Sequence, residues 1–432
     1  MAQQSQQAWS FGNEVRRLRA ARGMSLNALA VAVHYSKSQL SKVERGIQGP
    51  GADLVRLCDA VLGANGALIA LAQGPCTAGA LPAGVDQQEE VWVMHVSAQG
   101  QTWYSTMNRR EVLAAAVAAG GGGLVPGAAA AGADPGAGQL LETSRQLFGH
   151  FRRMGQAVPP GLVLPALVAQ TGLLEQASAR TSGATRVGLL RLASRYAEYT
   201  GWLVQESGDD KGALQWTARA VALARAGQDH DLAAYAQVRR ALVAMYRGDA
   251  AQTIALARRA QDSGLPPRIR GLAAQREAQG HALAGDHTAS MRCLDRARAL
   301  LGADPDRGAT ALGSTHLEDP VAMATGWCLV DLGRPAQAAA VLDAQVSALP
   351  GDATRVRARF GVRQALAHAA AGDPEQACAL LHPVLDAVNA VESATVAADL
   401  RRLAAVLSRH RSCTAVRNLE PALSASLYTT PM

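Results

Sequence analysis

Five glycines recur at wide, similar intervals through the second half of the sequence. Gly208, Gly248, Gly285, Gly333 and Gly372 are separated by 40, 37, 48 and 39 residues, and all except Gly333 precede an Asp. Small residues stand five positions after each glycine and seven positions before it, namely Ala213, Thr253, Ser290, Ala338 and Ala377 after, and Gly201, Ala241, Ala278, Gly326 and Ala365 before. Such spacing allows two antiparallel helices to cross closely, with each glycine ending the first helix of a pair.

This pattern resembles the tetratricopeptide (TPR) repeat, and G-D-x-x-x-A-x6-A is matched best from Gly208 to Ala220. The resemblance covers about residues 185–390. The spacing exceeds the usual period of ~34 residues, and polar residues replace Leu before the small position. We therefore expect an all-α protein whose residues 138–432 form an irregular solenoid of TPR-like helical repeats, with a sensory or dimerising role.

The composition supports a folded, helical chain. Of its 432 residues, 49% are apolar, 4% aromatic and 18% charged, which excludes a disordered chain and points away from an all-β fold. The six cysteines are far apart and form no C-x-x-C pair, so neither a disulfide framework nor a zinc site is expected. The polar N-terminus shows no secretory signal, and we expect a cytoplasmic protein.

The N-terminal segment predicts two short helices joined by a tight turn. Ser25 can cap a helix over residues 25–33, and Ser36 can cap a second over residues 36–45 that ends at Gly46. Residues 1–75 carry eight Lys/Arg against four acids, a basic balance typical of a nucleic-acid-binding domain.

The sequence LRAARGMSLNALAVAVHYSKSQLSKVERGIQGP resembles the Xre, or phage-repressor-like, helix-turn-helix family over about residues 11–73. The resemblance makes residues 1–75 a DNA-binding domain whose second helix enters the major groove. It implies base contacts from Lys37, Ser38 and Lys42. Phosphate contacts are expected from Gln39, Ser41 and Arg45.

The same resemblance pairs Arg19 with Glu44 as a structural ion pair that orients the recognition helix. Leu26 stands where relatives often carry a Gln that contacts a phosphate, so that contact is in doubt. One such domain makes few contacts, and a homodimer on two half-sites of double-stranded DNA is expected.

Residues 76–137 separate the two predicted domains. A β-hairpin is predicted within residues 85–105, followed by a flexible Gly/Ala linker over about residues 110–137. The linker resembles a twin-arginine export signal in part, but its Ala and Gly residues gain little from a membrane, and no membrane insertion is expected.

No catalytic motif is present, since the sequence lacks GK[ST] after its Gly run, HExxH and GxSxG. The chain is therefore expected to have no enzymatic activity, no cofactor and no metal. His281 and His287 are interpreted as helix-surface residues.

Positions nine and thirteen residues before each repeated glycine often reach the ligand in TPR domains. Here they supply a column of arginines and tyrosines, which suits an acidic peptide, a carboxylate or another small anionic ligand, or a protein partner. The predicted groove residues are Arg195, Tyr199, Tyr235, Arg239, Arg276, Arg359 and Arg363. The alternative interpretation is ordinary exposed arginines paired with Glu198 or Glu277.

The combined pattern resembles peptide-sensing quorum regulators and the Xre–TPR proteins of actinobacteria. It predicts a DNA-binding transcription regulator whose repeat domain dimerises and responds to a ligand or a protein partner. The alternative function is a TPR docking scaffold that the helix-turn-helix domain tethers to DNA.

Overall fold

The computed structural model describes residues 2–73, 90–96, 102–108, 136–302, 312–313, 317–350 and 353–429. The chain divides into two compact units. Pro75–Gly132 form one unit, and Met1–Gly74 together with Ala133–Met432 form the other. Most of the predicted linker, and Cys76, lie outside the described residues.

The N-terminal domain consists of five helices: α1 (Ala2–Ala21), α2 (Leu26–Ala32), α3 (Lys37–Glu44), α4 (Ala52–Val61) and α5 (Ala67–Gln73). Helix α1 packs against α3 and α5. The shared core includes Phe11, Leu29 and Leu40, which are almost completely buried. The sequence places these apolar residues at helical spacing, and their burial fixes α2 and α3 around the turn between them.

The smaller unit contains an antiparallel pair of strands, β1 (Glu90–Val96) and β2 (Thr102–Asn108). The pairing runs from Glu90 opposite Asn108 to Val96 opposite Thr102. The strands lie where the sequence predicts a hairpin, and β2 continues three residues beyond the predicted end.

The remaining described residues form a helical array. Its helices are α6 (Ala137–Ala157), α7 (Pro160–Ala179), α8 (Gly183–Glu206), α9 (Asp210–Ala226), α10 (His230–Tyr246), α11 (Ala250–Arg259), α12 (Pro267–Leu283), α13 (His287–Gly302), α14 (Pro320–Asp331), α15 (Pro335–Ser347), α16 (Thr354–Ala370), α17 (Pro374–Leu381), α18 (Leu385–Val391), α19 (Ala394–Leu407) and α20 (Thr414–Thr429). None of the helices in the described ranges is long and apolar enough to cross a membrane.

The five repeated glycines end helices α8, α10, α12, α14 and α16, as the sequence predicts. Each has a positive φ, between 68° and 96°, which a side chain would strain. The Asp after Gly208 begins the next helix, because its carboxylate accepts a hydrogen bond from Gly212 N at 2.8 Å. Arg334, which replaces Asp after Gly333, makes no such cap.

The small residues at fixed positions lie where the paired helices cross. All five residues that follow the glycines by five positions are fully buried. A Cβ at Gly326 would lie 2.6 Å from Leu342 Cγ on the paired helix, so the crossing of α14 and α15 leaves no room for a side chain.

The array curls until its early helices, α6 and α8, meet α16. Arg355, on α16, has only 1% of its side chain exposed and donates hydrogen bonds to Gly155 O and Val158 O at the end of α6, each at 2.7 Å. It also pairs with Glu206 at the end of α8, at 3.2 Å. Glu206 in turn accepts hydrogen bonds from Arg359 and from Ser393, both at 2.6 Å. These contacts join residues that are between 149 and 200 positions apart in the sequence.

Replacing Glu206 with Gln is expected to lower the free energy of unfolding by about 3–5 kcal/mol, because Arg355 and Arg359 would lose their buried counter-charge. Although burial opposes it, the attraction of Arg359 and Arg355 lowers the pKa of Glu206 from 4.5 to about 2. Its contribution is therefore fully present above pH 4.5 and declines as the pH falls towards 2.

Chemical denaturation at several pH values, with the exposed Glu142→Gln as the control, measures both effects. The stability gap between wild type and Glu206→Gln should narrow below pH 4.5. A gap that stays constant with pH would show that Glu206 is not the ionised centre of this network.

Candidate nucleic-acid interface and cavity of the helical array

Helix α3, the predicted recognition helix, begins with a reciprocal cap. Ser36 Oγ accepts a hydrogen bond from Gln39 N at 3.2 Å, while Gln39 Oε1 accepts one from Ser36 N at 3.4 Å. Ser25 caps α2 in the predicted way, accepting from Ala28 N at 3.0 Å. Gln39, predicted to contact a phosphate, thus also fixes the start of the helix.

The outer face of α3 is open to solvent. Lys37, Ser38, Gln39, Lys42 and Arg45 are exposed, and Ser41 is half-buried. Arg45 Nε donates to Ser41 O at 3.1 Å, so this guanidinium lies along its own helix. Both lysines are exposed on the outer face of α3, where the predicted base contacts require them.

Arg19 and Glu44 form a bidentate ion pair between α1 and α3. Arg19 Nε and Nη2 donate to the two carboxylate oxygens at 2.7 and 3.0 Å, and Arg19 Nη1 donates to Met24 O at 2.9 Å. The Arg19 and Glu44 side chains are 15% and 7% exposed. The pair ties α3 to α1. Leu26, which stands where relatives often carry a Gln that contacts a phosphate, packs against the apolar core of the domain.

A cavity of about 170 Å³ lies against the first helix of each pair in the array. Six of the seven predicted groove residues line it: Arg195, Tyr199, Tyr235, Arg239, Arg276 and Arg359. They come from α8, α10, α12 and α16, and the closure of the array brings α16 opposite α8.

Arg363, the seventh predicted groove residue, does not line the cavity. Its guanidinium lies 2.9 Å from the centre of the Trp327 ring and pairs with Asp399 at 2.7 Å. Helix α19 carries Asp399 and packs against α16, so this position is buried between helices. Burial lowers the pKa of Arg363, although Asp399 opposes the shift.

The arginines of the cavity differ in whether a carboxylate of the protein pairs with them. Arg239 pairs at 3.3 Å with Glu198, the partner that the alternative interpretation names, but Arg239 is buried and not exposed as that interpretation expects. Arg195 pairs with Asp229 at 3.0 Å. Arg276 does not pair with Glu277. Its side-chain partner is the amide oxygen of Gln279, and burial lowers the pKa of Arg276 to about 10.

Sequence reasoning missed several aromatic residues of the cavity wall. Trp202 and Trp327 stand six residues before Gly208 and Gly333 and line the cavity, as Leu242 and Gln279 do in the same position of other repeats. Positions thirteen, nine and six before the glycine share one helix face. Extending the predicted column by one position would have found both tryptophans.

The N-terminal domain rests on three turns of the array. Gly66 lies against Ala284 and Gly285, Ala60 lies against Gly333, and the His34 ring lies against Gly372. The guanidinium carbon of Arg409 stands 4.2 Å from the centre of the Tyr35 ring, and Arg402 lies 3.7 Å from Asp53. We call these contacts the seam. The seam leaves the lysines of α3 exposed.

Glu277, His281 and Cys293 approach one another within 4.8 Å, an arrangement of metal-ligand types. His281 is 13% exposed, so its interpretation as a surface residue is wrong: it faces Glu277 on the same helix. Arg258 and Arg296 already donate to the Glu277 carboxylate at 2.8 and 2.6 Å. A cation would therefore have to displace both guanidinium groups. The sequence could not show that the three residues lie together, because Cys293 comes from the next helix.

Residues 10–72 match the sequence profile of a family described as a helix-turn-helix domain. No significant match to the chain is found among curated proteins. The chain therefore carries a helix-turn-helix domain, and this match supports DNA binding and transcription regulation.

Replacing Arg19 with Ala should lower the free energy of unfolding by about 3 kcal/mol, since it leaves the Glu44 carboxylate buried without its partner. Arg17→Ala is the matched control, because Arg17 forms a similar bidentate contact to Glu14 on the surface of the same helix. Urea denaturation distinguishes them, and equal effects of the two substitutions would contradict a structural role for Arg19.

Proposed function

We propose that this protein is a transcription regulator that binds operator DNA through α3 and senses a ligand in the cavity of its helical array. The observation that carries the proposal is the exposed, doubly anchored recognition helix. Its start is fixed by the Ser36–Gln39 cap, and its orientation is fixed by Arg19 and Glu44. Lys37 and Lys42 can then donate hydrogen bonds to the acceptors of guanine in the major groove.

A homodimer is the expected DNA-binding form. One α3 helix spans only a few base pairs, and helix-turn-helix proteins gain affinity by placing two such helices in half-sites ~34–36 Å apart. Ligand binding would act by changing how the two DNA-binding domains are spaced.

The seam offers a direct route from the cavity to the DNA-binding domain. Helices α12, α14 and α16 contribute Arg276, Trp327 and Arg359 to the cavity wall. The same three helices end at Gly285, Gly333 and Gly372, the turns that touch the N-terminal domain. A ligand that shifts these helices would therefore shift the seam. The cavity of about 170 Å³ also suits a small ligand better than a docked protein, which favours a sensor over a docking scaffold.

Selection of genomic DNA fragments by the purified protein tests the DNA-binding role. The double substitution Lys37→Ala/Lys42→Ala should remove sequence preference and lower affinity for the selected operator by at least tenfold, because each lysine contributes a base or phosphate contact. Lys211→Ala is the control, since Lys211 is exposed on α9, far along the chain from α3.

A shared palindromic motif that is lost only in the double variant would support specific base contacts and a dimer. Salt-sensitive binding without a motif, equal in all three proteins, would instead make the domain a nonspecific DNA anchor and favour the scaffold function.

A further inference from the structure

We infer that the cavity of the helical array binds a compact aromatic carboxylate, a molecule of one or two rings with one acidic group. This inference rests on the proposed ligand-sensing function and names the class of ligand.

Aromatic side chains are concentrated in the cavity wall. The sequence has only 4 Phe, 6 Trp and 7 Tyr among 432 residues. Seven of these line the cavity: Phe148, Tyr199, Trp202, Tyr235, Tyr246, Trp327 and Phe360. They belong to α6, α8, α10, α14 and α16, so they converge from separate parts of the chain. A wall of this kind favours a flat ring, which gains offset or edge-to-face contacts.

The charge of the wall calls for an anion. Four arginines of the wall already have a carboxylate partner. Arg195 pairs with Asp229, and Arg239 pairs with Glu198. Arg355 and Arg359 share Glu206. Within the part of the chain that the structure describes, Arg276 pairs with no carboxylate. A desolvated guanidinium without a counter-charge is costly, and the planar fork of Arg binds a carboxylate through two parallel hydrogen bonds.

Several polar groups of the wall have unused hydrogen-bonding capacity. Tyr246 Oη, Gln279 Nε2 and Arg195 Nη1 are buried atoms with no protein partner among the described residues. Each belongs to a residue that lines the cavity. Buried donors are rarely left unpaired, and all three could donate to the oxygens of a bound acid.

The size of the cavity favours a small molecule over a peptide. A cavity of ~150 Å³ lined by apolar side chains accommodates benzene, and this one measures about 170 Å³. An extended peptide of several residues needs more room. The geometry therefore favours the small molecule among the ligand classes that the sequence leaves open.

Benzoate and 1-naphthoate are suitable probes, with benzamide and 1-naphthamide as neutral compounds of the same shape. Binding to the full-length protein is measured by titration calorimetry and by quenching of tryptophan fluorescence, since Trp202 and Trp327 line the cavity. We expect saturable binding of at least one acid at submillimolar to millimolar concentrations. The matching amide should bind at least tenfold more weakly, a difference of ~1.4 kcal/mol.

Arg276→Gln should weaken binding of the acid at least tenfold without affecting the amide, and Arg276→Lys should restore part of the affinity. Arg298→Gln is the control, because Arg298 is an exposed arginine paired with Asp295. If Arg276→Gln does not fold, Tyr246→Phe tests the same site, with a weaker loss expected for the acid alone.

Equal binding of acid and amide, or of the acid to wild type and Arg276→Gln, would overturn the inference. Failure of both acids to bind would also overturn it, and binding of a pentaglutamate peptide in their place would leave ligand sensing intact with a different ligand class. Operator selection is scored separately, so loss of the aromatic-acid inference is distinguishable from loss of the DNA-binding function.

Discussion

A buried carboxylate shared by two guanidinium groups determines the form of the helical array. Glu206 binds Arg355 and Arg359, and Arg355 also holds the end of α6. Because Glu206 lies on α8 and the two arginines lie on α16, their pairing brings the early helices of the array against a helix much later in the chain. Arg359 also lines the cavity, so the ion pair that closes the array shapes the ligand site. Charges buried in this way are stable only as a complete network.

The features that could be predicted from the sequence are local ones. The glycines at the helix ends and the Ser caps of α2 and α3 each depend on residues within a few positions, and the structure confirms them. The burial of Arg363 outside the cavity was not predictable in this way. It depends on Asp399, and the position of α19 follows from the closure of the array, which joins residues far apart in sequence.

The packing of the N-terminal domain against the helical array is a second feature that the sequence did not predict. The basic domain and the Gly/Ala-rich stretch after it suggested a DNA-binding module attached by a linker. The structure places residues 1–74 in the same compact unit as the array, while Pro75–Gly132 form their own. The N-terminal domain is held against the array by contacts of a few turn residues and of two arginines, Arg402 and Arg409. Helical periodicity could not reveal the partners of these arginines on the N-terminal domain.

The seam also limits how such a protein can change in length. Open solenoids gain or lose repeats easily, since each repeat contacts only its neighbours. Here one added pair of helices between Gly285 and Gly372 would separate turns that must meet the same small domain, and it would also move Arg355 away from Glu206. The number of repeats is therefore set by the circumference of a closed array and the width of the domain docked on it. Variation among homologous chains should accordingly fall in the segments outside the paired helices.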